Sequence, residues 1–143
     1  MVQGSPPLHW RKYAERYRLT GSKDAKTGKE HFPAKPRISG GAGRTEGRAG
    51  LTADLSAALM PREGKIVSWT QMFSGAPTGF EHETPYFLAI IELPNGVRLI
   101  TQLADSEAEK VKIGAKVRKM FRKISDTEAE GHIAYGYKFK VIG

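Results

Sequence analysis

The chain has 143 residues, 39% hydrophobic and 27% charged, with a formal charge of +8, which suits one soluble domain or a barrel of about 80 residues with an appendage. The absence of cysteine excludes disulfides, thiolate nucleophiles and thiolate metal sites, and no apolar run approaches the roughly 20 residues of a membrane span. The positive charge favours anionic partners such as nucleic acid, phosphorylated cofactors or an acidic protein surface.

Met1–Pro7 is short and polar and lacks the basic and apolar regions of a signal peptide, so a cytoplasmic protein with no membrane partner is expected. Ser5-Pro6-Pro7 then reads as a helix start, with a capping serine and proline in the first turn. Trp10, Tyr13 and Tyr17 follow at i, i+3 and i+7, on one face of a helix expected over residues 1–20 and ended by Gly21. That aromatic face either docks on the body of the chain or anchors a partner, because aromatic side chains are enriched at interfaces.

Residues 21–48 shift to Gly, Lys, Arg and Pro, with a basic, glycine-rich run from Lys35 to Arg44 that can bury little and reads as a connector. It lacks the repeated Arg-Gly pattern or interleaved aromatics of an RNA-binding tail. Leu51, Ala53, Leu55, Ala57 and Leu59 fit a strand and, in part, a helix; periodicity leaves both open.

The second half is clearer. Gly64–Phe73, Tyr86–Leu93 and Val97–Leu103 read as strands, the last two joined by the hairpin turn Pro94-Asn95-Gly96, since Asn-Gly readily takes positive φ. Ser106 and Glu109 stand at capping-box spacing and mark a helical turn. Lys116–Ile124 and His132–Ile142 complete a set of five strands around the acidic loop Ser125–Gly131. Three strands, a short helix and two strands is the order of an OB-fold, expected over residues 61–143.

Catalytic constellations are sparse. There is no Gly-x-Ser-x-Gly elbow, Walker loop or His-Glu-x-x-His, and Glu81-His82-Glu83 sits in a loop without fixed acid/base geometry. His9, His31, His82 and His132 show no ligand spacing. On a strand, Lys116, Arg118 and Arg122 share one face, suited to solvent, to phosphates or to an acidic partner, which leaves Lys119 and Lys123 to a bulge or strand end. Of the net charge, Met1–Gly64 supplies 12 basic against 6 acidic residues and Lys65–Gly143 only 11 against 9. Most of the excess therefore lies outside the barrel, which weakens a nucleic-acid reading.

Ala-Pro-Thr-Gly-Phe-Glu (Ala76–Glu81), Thr-Pro-Tyr (Thr84–Tyr86), Val-Lys-Ile-Gly (Val111–Gly114), Phe-Arg-Lys (Phe121–Lys123) and Tyr-Gly-Tyr-Lys-Phe (Tyr135–Phe139), in this order and spacing, resemble the zinc-ribbon plus OB-fold family encoded beside thiolases. The resemblance extends to the aromatic helix and its continuation Tyr17-Arg18-Leu19. It implies a mainly β fold, a five-stranded OB barrel preceded by an N-terminal helix and a rubredoxin-like ribbon in residues 21–60. Members carry two Cys-x-x-Cys knuckles, whose positions fall here on Asp24, Thr27, Ile38 and Gly41. None replaces a thiolate, so the expectation is a degenerate ribbon without zinc, its knuckle turns surviving as loops.

The resemblance further implies a non-catalytic accessory subunit that bridges a thiolase or hydroxymethylglutaryl-CoA synthase and touches acyl-CoA or CoA without holding it tightly. The candidate partner contacts are Trp10, Tyr13 and Tyr17. The candidate CoA contacts are Phe80, expected to be exposed in the twelve-residue loop Ser74–Pro85, its shoulder Thr84 and Tyr86, and the cations Arg118 and Arg122. Two other classes compete: a single-stranded nucleic-acid binder, favoured by charge and barrel, and a stand-alone acyl-CoA hydrolase or transferase.

Overall fold

A computed structural model of the chain describes residues 6–25, 27–34, 55–77, 80–126 and 133–143. Ser5, the basic run Lys35–Arg44, Ile38, Gly41 and His132 lie outside them, and so do Leu51 and Ala53.

Helix α1 runs from Pro6 to Arg18, with Arg16 and Arg18 in its last turn, where cations oppose the negative end of the helix dipole. Its end differs from the expectation. The stop is Leu19, at φ +56 and fully buried, while Gly21 already belongs to a strand. The Lys119 ammonium donates to the Tyr17 carbonyl at 2.9 Å, satisfying one of the orphan acceptors of the last turn.

Three short strands, β1 (Thr20–Asp24), β2 (Glu30–His31) and β3 (Leu55–Leu59), form an antiparallel sheet with β1 in the centre. Leu55–Leu59 is thus a strand. The described part of the ribbon segment is therefore a small sheet whose first knuckle survives as the β1–β2 turn, as expected, while the second, at Ile38 and Gly41, lies outside the described residues. The first knuckle is closed by backbone hydrogen bonds: Gly28, at φ +68, donates its N–H to the Asp24 carbonyl at 2.7 Å, and the Asp24 N–H bonds to the Lys29 carbonyl at 2.9 Å. The Asp24 and Thr27 side chains, at two of the expected ligand positions, accept backbone N–H groups of the turn, from Thr27 and Lys29 respectively, both at 3.4 Å. Within β1, Gly21 lies so close to β2 that a Cβ would stand 2.1 Å from the His31 carbonyl oxygen.

The barrel is formed by β4 (Glu63–Met72), β5 (Tyr86–Glu92), β6 (Arg98–Leu103), β7 (Lys116–Asp126) and β8 (Ile133–Val141), closed in the order β4-β5-β6-β8-β7. Only β6 and β8 run parallel, and the rest of the ladder is antiparallel. That order is the expected OB-fold. Its alternating inner residues, among them Ile66, Ile91, Leu103, Val117 and Phe139, are buried together with Leu19 and Met60 from the N-terminal part, so ribbon and barrel share one core. The expected turn is present, with Gly96 at φ +81 and Leu93 and Val97 paired across it.

A bulge interrupts β7 between Lys123 and Ser125, which breaks the alternation that two-residue periodicity requires. Lys119 points to the helix end and is half-buried; desolvation holds its pKa below the ordinary lysine value, with Arg62 adding to the effect. Ser106 also departs from the capping-box expectation. Ala108–Lys110 is a 3-10 turn without a side-chain cap, and the Ser106 hydroxyl instead donates to the Ala104 carbonyl at 2.9 Å and accepts the Val141 N–H at 3.1 Å. It ties the turn to the last strand.

A candidate ligand cavity beside an aromatic helix

Side chains alternate across a strand, so the register that buries Phe87, Ala89 and Ile91 turns Tyr86, Leu88 and Ile90 outward, opposite Gln102 and Ile100 of β6. Helix α1 and the β4–β5 loop rise beside this outer face. Between them lies a cavity of about 440 Å³, walled by Tyr86, Leu88 and Ile100 from the strands, Phe80 from the loop and His9 and Arg16 from the helix. The lining also includes Tyr135, Tyr137 and Lys138 of β8.

Phe80 is half-buried rather than exposed, its ring 6.4 Å from that of Tyr86. Thr84 donates its hydroxyl to the Glu81 carbonyl at 2.8 Å and so steadies the 3-10 turn Glu81–Glu83 that follows Phe80. Of the five candidate CoA contacts, Phe80 and Tyr86 line the cavity and Thr84 supports its rim. Arg118 and Arg122 do neither. Arg118 donates to Glu63 at 2.8 and 3.0 Å, and Arg122 pairs with Asp105, whose carboxyl it holds below the usual range by that hydrogen bond.

Sequence reasoning missed a buried ion pair. Lys138 is only 7% exposed, and its ammonium donates to both carboxylate oxygens of Glu83, at 3.0 and 3.3 Å; the Gln102 amide donates to the same carboxylate. Glu83 is therefore not a solvated loop residue, because it fastens the loop to β6 and β8. Lys138, set between Tyr137 and Phe139 in the closing strand, was the available signal, since an ammonium among aromatic rings needs a counter-charge. Burial, with the nearby Glu15 adding to it, pushes the Tyr137 phenol up to about 12.

The three helix aromatics are brought together as expected, and they extend further. Trp10, Tyr13 and Tyr17 line up along α1 as tilted rings with centroids 6.5 and 4.4 Å apart, and Tyr17 meets Phe121 edge-on at 5.2 Å. Phe121 in turn stacks on Tyr135 at 5.5 Å. The ladder is anchored at its barrel end and open at the other, where Trp10 is 81% exposed. Among the described residues no group of three or more histidine, aspartate or glutamate side chains is gathered to hold a metal, and no helix is long and apolar enough to cross a membrane.

These features define an OB-fold protein with a helix and a cysteine-free ribbon ahead of the barrel. Residues 58–122 match the family described as the ChsH2 C-terminal OB-fold domain. The chain is 35% identical to a DUF35 domain-containing scaffold protein of Pyrococcus furiosus over 136 residues, 94% of this chain and 90% of the relative. A protein of the same description from Methanocaldococcus jannaschii is 35% identical over 133 residues, 93% and 88% of the two chains. A solved structure described as a Ltp2-ChsH2(DUF35) aldolase aligns with a TM-score of 0.62 at 20% identity, covering 99% of this chain and 96% of that one, a likeness of fold. The chain belongs to the DUF35 family of OB-fold proteins, the family its motifs resemble.

Proposed function

We propose that this chain is a non-catalytic scaffold subunit of an acyl-CoA condensation assembly, holding a thiolase, a hydroxymethylglutaryl-CoA synthase or both, with acyl-CoA passing beside its barrel. The observation that carries the reading is the aromatic ladder on α1. A tryptophan left 81% exposed at the head of a row of rings braced on the barrel is a contact surface, of the residue type that dominates interfaces. The relatives named as scaffold proteins match over nine-tenths of their length, which supports the same role. The reactive cysteine of thiolytic condensation belongs to the partner, since this chain has none.

Mixing the purified chain with the thiolase and synthase of its own genome tests this by size-exclusion chromatography. A stable complex is expected, and Trp10→Ala together with Tyr13→Ala should weaken it by roughly 30-fold or more. Absence of a complex refutes the reading, as does sustained turnover of acetoacetyl-CoA by the chain alone.

Nucleic-acid binding is the weaker reading. Four of the barrel's cations are paired with carboxylates: Lys65 and Arg98 meet Glu92, Arg118 meets Glu63 and Arg122 meets Asp105. Backbone binding, where present, must weaken steeply as salt rises, so an oligonucleotide titration at two salt concentrations discriminates the two.

A further inference from the structure

We propose that the cavity between α1, the β4–β5 loop and the outer face of β5 and β6 seats the alkyl chain of an acyl group, with the acyl oxygen at Arg16. The inference deepens the acyl-CoA reading by naming the part of the ligand that enters and the side chains that receive it. At about 440 Å³ the space falls in the range of small-molecule sites. Ile100 forms part of its wall and is left 67% exposed, beside half-buried Leu88. Two aliphatic side chains on a cavity wall are covered most favourably by another alkyl chain, which removes apolar surface from water on both sides.

The polar groups in the wall restrict the choice further. Lys138, Glu83 and Gln102 bond to one another, so ammonium and carboxylate offset each other and neither is free to read the edge of a base. A base edge would find Lys138 and Gln102 already engaged, whereas a chain of methylenes needs no hydrogen-bond partner. Arg16 is different. Its guanidinium Nη1 stands 3.5 Å from His9 Nδ1, and among the described residues no carboxylate is within ion-pair distance of it. It is the one cation of the cavity without a counter-anion, suited to an oxygen acceptor at the end of an alkyl chain.

A free fatty carboxylate and a CoA thioester share this chemistry, an alkyl chain ending in an acyl oxygen. Calorimetric titration of the full chain with octanoate, octanoyl-CoA and CoA separates the sources. If thioesters are the ligand, octanoyl-CoA binds at least tenfold tighter than CoA; if free acids are, octanoate binds and octanoyl-CoA does not. Ile100→Gln, at an exposed position that leaves the melting temperature unchanged, weakens either octanoyl ligand by about tenfold. Arg16→Gln weakens octanoate more than octanoyl-CoA, because a full charge is lost against a carbonyl dipole.

Octanoate without affinity together with octanoyl-CoA no tighter than CoA overturns the inference, and so does an Ile100→Gln chain that binds like the parent. Assembly with the partner enzymes is read separately. A chain that assembles and ignores octanoyl groups loses this inference alone; one that binds them and does not assemble loses the scaffold reading.

Discussion

Glu83→Gln removes one charge from the ion pair with the most deeply buried cation among the described residues and leaves the Lys138 ammonium, 7% exposed, facing a neutral amide. Breaking a buried pair from one side costs about 3–5 kcal/mol when both groups are fully enclosed. The Glu83 side chain is 33% exposed, so water screens part of the loss, and the expected cost is about 2–3 kcal/mol. The converse change is milder. Lys138→Met takes away the group that most needs a partner and leaves a carboxylate that still accepts from Gln102 and from water, for a cost of about 1 kcal/mol. In the double variant the orphaned charge is gone, so Lys138→Met should rescue most of what Glu83→Gln loses. Urea denaturation of the four proteins measures the cycle, and a thermal melt should place Glu83→Gln about 6–9 °C below the parent. A Glu83→Gln protein within about 0.5 kcal/mol of the parent, or one more stable than Lys138→Met, refutes the argument that burial of Lys138 sets the energetics.

Tyr137 gives a prediction at alkaline pH. Its folded-state pKa is pushed up to about 12 from 10.0, so the folded chain holds a proton that the unfolded one releases; the stability is present below pH 10 and is lost as pH rises toward 12, by an amount on the order of 2–3 kcal/mol. Tyr137→Phe should flatten that part of a urea-midpoint-against-pH curve, and an unchanged slope contradicts the assignment. Gly21→Ala drives a Cβ into the His31 backbone and should cost about 2–3 kcal/mol, whereas Gly75→Ala, at φ +71 with open space around it, should cost only about 1 kcal/mol from backbone strain; equal costs in chemical denaturation would remove the close-approach explanation. A chelator should leave the melting temperature unchanged, and one equivalent of zinc in elemental analysis would overturn the metal-free reading of the ribbon.

The barrel was legible because each of its strands carries a local signature: β-branched and aromatic runs, an Asn-Gly turn and the Val-Lys-Ile-Gly segment before β7. The aromatic face of α1 was legible for the same reason, as spacing alone puts Trp10, Tyr13 and Tyr17 in a row. What escaped depends on contacts distant in sequence. Leu19 rather than Gly21 takes the left-handed turn because its side chain is held in the shared core, which outweighs the cost of positive φ. Ser106 fits a cap by spacing and is instead engaged by Val141, 35 residues away. The cavity needs α1, β5, β6 and β8 together, and the Glu83–Lys138 pair spans 55 residues, so no window along the chain displays either. The pairing of β1 with β2 was not legible because no cysteines mark it and those two strands are short and polar.

The turn between β5 and β6 shows what stands in for those cysteines. Asn95 accepts the Val97 N–H to shape its own hairpin, and its amide reaches across to Glu30 of β2 and, at 3.4 Å, to the Met60 sulfur. A metal knuckle is rigid by itself and tolerates being transplanted; a sheet clamped from outside is not portable. Cutting the chain at residue 61 should therefore yield an N-terminal fragment that has lost its template, and replacing Asn95 should be felt first at Glu30, far along the sequence from the substitution.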